Sequence, residues 1–209
     1  MRLKRDDEWC SPAQLAEALN YCSGLKMLRL PVTRLNDEGM QDLFGGLDRG
    51  ALPELTFLGL FVNRFGERGV GTVCEAFGRG VAPKLKTLVM GANLFGDEGA
   101  KAIAAAVRLG HLPESLHVCD LTQNEIGDEG AMALATAILE SGSKFRPMLQ
   151  INCIGLAGQS ALLQALEASH GMDMKNLSSV VFNAPFYLPV FLARAQSLGW
   201  RRFFEAGVL

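Results

Sequence analysis

Two hydrophobic periods alternate along this chain. In LKTLVM, starting at Leu85, the apolar residues Leu85, Leu88 and Met90 occupy alternating positions that would point one strand face inward, while Thr87 and Val89 face the other way. A few residues later the period lengthens. In GDEGAKAIAAAVRLG, Ala100, Ile103 and Val107 form one helical stripe, and Lys101 and Arg108 fall off it. Asp97 followed by Glu98 is expected to act as N-cap and acidic first turn of that helix. Pro53, Pro83 and Pro113 recur just before the next apolar run, where a helix must already have stopped. The predicted unit is strand, turn, helix, turn.

The unit repeats. LKMLRLPVTRLNDEGM, LTFLGLFVNRFGERGV, LKTLVMGANLFGDEGA and LHVCDLTQNEIGDEGA begin at Leu25, Leu55, Leu85 and Leu116, so the starts lie 30, 30 and 31 residues apart. Each reads LxxLxLxxN, then any residue, an apolar one and usually Gly. A fifth, decayed copy ends in INCIGLAGQS with Asn152 in the Asn slot, and LSSVVFNAP from Leu177 offers a sixth with Pro185 in that slot. A fixed period of this length predicts stacked units sharing one continuous core. The strands must run parallel with right-handed crossovers. Strands lie about 4.8 Å apart while helices are about 10 Å thick, so the stack is expected to bend with its strands on the concave side.

Asn63, Asn93, Asn124 and Asn152 stand where each strand ends, and an amide there can serve backbone groups left unpaired as the chain turns. Thr33 holds the slot in the first copy and can do only part of that work. Cys119 replaces an inward Leu and is expected to behave as a small buried hydrophobe. Before the first repeat, Ser11-Pro12-Ala13-Gln14 reads as N-cap, N1 proline and capping-box glutamine of a helix reaching about Tyr21. The segment after Pro185 fits no repeat and is rich in aromatics, from Phe186 to Phe204. One domain over 1–209 is expected, with an N-terminal capping helix over about 1–24. Repeats would fill about 25–176, and a degenerate last repeat with a C-terminal cap about 177–209.

Strand alternation assigns the concave lining. It predicts Met27, Arg29 and Pro31 from the first copy, and Phe57, Gly59 and Phe61 from the second. Thr87, Val89 and Gly91 follow from the third, and Val118, Asp120 and Thr122 from the fourth. With no layer above them, Phe57 and Phe61 would be exposed aromatics beside an Arg, the residue types that anchor interfaces. The competing arrangement packs these rings on each other and on Met27.

Composition narrows the chemistry. With 209 residues, 49% hydrophobic and 20% charged, the chain can bury a real core. Twenty Lys+Arg against 22 Asp+Glu leave a formal charge of −2, which gives no footprint for a nucleic acid and no polybasic membrane anchor. Asp6, Asp7 and Glu8 interrupt any signal-peptide core, and the uncharged run 176–193 is broken by Pro185 and Pro189. The triplet Asn176-Leu177-Ser178 is read as chance. Five widely spaced cysteines without a CxxC suggest reduced thiols in a cytoplasmic or nuclear setting. No metal and no cofactor are expected, because His111, His117 and His170 share no ligand spacing with Asp, Glu or Cys, and no GK[ST] or GxGxxG occurs. The SxxK spacing from Ser141 to Lys144 lacks its companion motifs. Asp37-Glu38, Asp97-Glu98 and Asp128-Glu129 could be taken for acid/base pairs, but a catalytic pair is needed once and this one recurs, as helix capping would.

The LxxLxLxxN repeats with their GDEGA tails resemble the leucine-rich repeat superfamily, and within it the long-repeat, ribonuclease-inhibitor-like class, over about residues 12–170. That resemblance implies an α/β solenoid, a horseshoe with parallel strands on the concave face and helices on the convex face. It further implies a non-catalytic, monomeric interaction module that binds another protein, not nucleic acid or membrane. The face to do so would carry Met27, Arg29, Phe57, Phe61, Thr87, Val89, Asp120 and Thr122. The repeats are also similar to those of the Ran GTPase-activating proteins, which implies the alternative of a GTPase activator with Arg29, Arg34 and Arg64 as available cations. Against it, the array is shorter than that family's and lacks its acidic tail. A structural component of a larger assembly is the third expectation.

Overall fold

A computed structural model describes residues 10–142 and 146–170. The suggested sixth repeat, the C-terminal cap and the aromatic tail lie outside the described residues. The first helix, α1 (Pro12–Leu19), opens on the predicted capping box: Gln14 N–H donates to Ser11 Oγ at 3.2 Å and Ser11 N–H to Gln14 Oε1 at 2.9 Å. Five strand–helix units follow. They are β1 (Met27–Arg29) with α2 (Asp37–Gly45), β2 (Phe57–Gly59) with α3 (Glu67–Gly78), and β3 (Thr87–Val89) with α4 (Gly96–Arg108). Then come β4 (Val118–Asp120) with α5 (Asp128–Ser141) and β5 (Pro147–Met148) with α6 (Leu156–His170).

The strands form one parallel sheet in chain order, so every unit is a rung beside its predecessor. The register places Leu28 beside Leu58, Leu58 beside Leu88, and Leu88 beside Cys119. These inward side chains merge with the helical stripe of Ala100, Ile103 and Val107 into one core. Phe65 and Phe95, at the apolar position after the Asn slot, stack in it with ring centroids 6.5 Å apart. Cys119 is buried as expected, and burial pushes the Cys74 thiol up to about 12, so both act as packing groups at neutral pH.

The asparagines tie rung to rung. Asn93 Oδ1 accepts the Asn63 N–H at 3.0 Å, and its Nδ2 donates to the carbonyls of Leu60 and Met90 at 3.0 and 2.9 Å. Asn124 Oδ1 accepts the Asn93 N–H, and Asn152 Oδ1 the Asn124 N–H. Thr33 supplies only a hydroxyl, 3.0 Å from the Leu30 carbonyl.

The capping expectation needs correction. Asp97 does not cap its own helix: α4 follows Phe95 and has no side-chain cap. Its Oδ1 instead accepts the N–H groups of Gly127 and Gly130, 2.7 and 2.9 Å away, at the start of α5 on the next rung. Asp37 does the same for Gly66 and Gly69 at the start of α3, and Asp128 for Gly158 in α6. The approach requires glycine, since a Cβ on Gly130 would lie 2.6 Å from that oxygen. Where Glu67 replaces the Asp, the next helix starts differently, with Gly96 at φ +59°. Asp97→Ala is therefore expected to cost about 1–3 kcal/mol, two charge-assisted bonds instead of an ordinary cap. Glu67→Ala should stay within about 0.5 kcal/mol. Urea melts measure the pair, and amide exchange should rise first at Gly127 and Gly130. Faster exchange in α4 alone would refute inter-rung capping.

The helices have stopped before Pro53, Pro83 and Pro113, as expected. The prolines lie several residues past the helices. Gly80 and Gly110, at φ +79° and +67°, end α3 and α4, and in each case the two N–H groups that follow the C-cap bond back to the last turn: Gly80 to Phe77 and Val81 to Ala76, Gly110 to Val107 and His111 to Ala106.

Candidate protein-binding face

The sheet face turned away from the helices gathers the predicted lining residues in rows, because in-register strands repeat the same orientation on each rung. Met27, Phe57, Thr87 and Val118 make one row, and Arg29, Gly59, Val89 and Asp120 the next. Met27 and Phe61 are 49% and 40% exposed, whereas Phe57, Thr87, Val89, Asp120 and Thr122 are half-buried.

The two phenyl rings lie down on the sheet. A Cβ on Gly59 would come 3.0 Å from Phe57 Cε1, and one on Gly91 would come 3.1 Å from Phe61 Cδ2. Glycines therefore form the floor on which the rings rest. The Arg29 guanidinium sits over Phe57, 5.0 Å from the ring centroid. Asp120 Oδ1 accepts the N–H and the hydroxyl of Thr122 at 2.9 and 2.7 Å, which fixes that carboxylate within its own strand.

Strand alternation missed a second apolar row. Val32, Val62 and Ile151 sit immediately before the Asn slot at φ +57°, +54° and +56°, a costly conformation for β-branched residues. It is held because the Val62 N–H donates to the Gly91 carbonyl while the next N–H, of Asn63, is taken by Asn93. The turn throws the side chains outward: Val32 is 68% and Ile151 62% exposed. Leu94 is exposed on the same edge. An apolar residue before Thr33, Asn63, Asn93 and Asn152, with Gln123 as the exception before Asn124, is the signal available in the sequence. Continuing the alternation into the fifth copy would likewise have found Met148, which pairs with Asp120.

A family profile described as Leucine Rich repeat matches residues 81–104 and 114–135, the third and fourth rungs. These two rungs match leucine-rich repeats, and the other described rungs share their strand–turn–helix order. Arrays of this family are generally protein-binding modules and usually non-catalytic. No curated protein matches the chain. Among the described residues, no three His, Cys, Asp or Glu gather to hold a metal, and no helix is long and apolar enough to cross a membrane.

Proposed function

We propose that this leucine-rich-repeat array, of the ribonuclease-inhibitor-like class by its 30-residue spacing, is a non-catalytic interaction module. It binds another protein through the concave sheet face, in a cytoplasmic or nuclear setting. The whole chain is read as one domain that starts with α1 as its cap. The supporting observation is Phe61 at 40% exposure on the same rung as Phe57, each ring seated on a glycine and covered by no other layer. Rigid aromatic area already ordered in the free protein lowers the entropic cost of association. The GTPase-activator reading has less support, because Arg29 rests on a ring while Arg34 and Arg64 stand on separate exit turns.

Phe57→Ala combined with Phe61→Ala should weaken binding of a partner recovered by cross-linking about tenfold or more. Arg108→Ala, on the helix side, should leave the Kd unchanged. Titration calorimetry reads both, and an unaltered Kd in the double variant would defeat the concave-face assignment.

A further inference from the structure

Charge is sorted along the strands and the turns that flank them. The segments 25–34, 55–64 and 85–94, which supply the first three strands and their exit turns, carry Lys26, Arg29, Arg34, Arg64 and Lys86 and not one Asp or Glu. The fourth, 116–125, carries Asp120 and Glu125. This basic half belongs to a chain whose formal charge is −2. All five cations are exposed, and among the described residues none is in an ion pair. By contrast Lys84, Lys101 and Arg108, flanking the strands or on the helices, each have a carboxylate partner.

Arg29 is the central member of this set. Its guanidinium is held over Phe57, and a guanidinium lying on a ring keeps its edge N–H groups free for two parallel bonds to a carboxylate. Asp120 occupies the same row but three strands away, about 14 Å at ordinary strand spacing, and is already engaged by Thr122. Met27 lies two residues before it on β1, and Phe61 and Val62 follow its β2 partner Gly59; all three are exposed and apolar.

We propose that the first three rungs of the concave face bind an acidic, apolar-flanked segment of a partner protein, with a carboxylate of that segment held by Arg29 on the Phe57 ring. The inference rests on the concave-face reading and adds the chemistry of the partner. A nucleic acid fits less well: five separated cations interleaved with apolar side chains do not make the dense basic stripe that phosphodiester binding draws on.

The test pans a phage library of random dodecapeptides against the full chain and measures selected peptides by fluorescence anisotropy, with a dT12 oligonucleotide in parallel. The expected result is enrichment of Asp and Glu next to apolar residues. Affinity should fall about tenfold to a hundredfold in Arg29→Glu, fall less in Arg29→Lys, and weaken with added salt. Circular dichroism melts confirm that both variants fold. Neutral or basic binders that are lost in the Phe57→Ala, Phe61→Ala double variant would overturn the acidic partner and leave the concave face standing. Selected peptides indifferent to both sets of changes, or no peptide selected at all, would overturn both. Tighter binding of dT12 than of any peptide would replace the protein segment with a nucleic acid.

Discussion

Asn93→Ala is expected to destabilise the protein by about 3–5 kcal/mol, more than its loss of side-chain volume can explain. The amide is 1% exposed and serves two rungs together: it receives the Asn63 N–H and donates to the Leu60 and Met90 carbonyls. Truncation strands the buried Asn63 N–H, at about 1–3 kcal/mol when water cannot reach it, and takes one donor each from the Leu60 and Met90 carbonyls, at about 0.5–1.5 kcal/mol apiece, since these keep Asn63 Nδ2 and Asn124 Nδ2. The same turn holds Ala92 and Leu94 at φ +57° and +65°, so the amide also maintains a conformation the backbone would not choose alone. Asn93→Thr should cost less than Asn93→Ala, since Thr33 shows a hydroxyl in the same slot reaching a carbonyl three residues back at 3.0 Å. Urea denaturation orders the two variants. Equal losses for Ala and Thr would mean that packing, not hydrogen bonding, sets the cost.

What could be read in the sequence was whatever repeats with a fixed offset and acts within its own rung. LxxLxL placed Leu28, Leu58, Leu88 and Cys119 in one row, and the structure pairs them as neighbours. The capping box at Ser11 was legible because its two partners are three residues apart. Asp97 was misread for the converse reason. Its partners Gly127 and Gly130 lie 30 and 33 residues on, and only stacking brings them near, so a local rule assigned it to the nearest helix. The prolines mark where a helix must be over, while the left-handed Gly80 and Gly110 set where α3 and α4 end.

The face was legible in identity but not in posture. Alternation placed Phe57 and Phe61 on the sheet surface, yet whether a ring stands up or lies flat depends on the residue beside it. Gly59 and Gly91 decide that, by leaving room. Val32, Val62 and Ile151 escaped because the alternation ends where the chain turns left-handed, and beyond that point strand parity no longer tells which way a side chain points.

Leu58→Ala should cost about 2–5 kcal/mol, and its effect should be graded along the chain. Leu58 is fully buried, between Leu28 on one neighbouring strand and Leu88 on the other, so the cavity opens at a site walled on both sides. Leu28 belongs to the edge strand and is only half-buried, with a neighbour on one side among the described residues. Leu28→Ala should therefore cost less than Leu58→Ala. Because each rung packs mainly on the rungs beside it, a cavity at the second weakens the interfaces it shares with the first and third before it reaches the fifth. Amide exchange should accelerate most in β1, β2 and β3, and least in α6. A uniform rise from α1 to α6 would instead show one global unfolding unit, in which neighbour-to-neighbour packing does not localise damage.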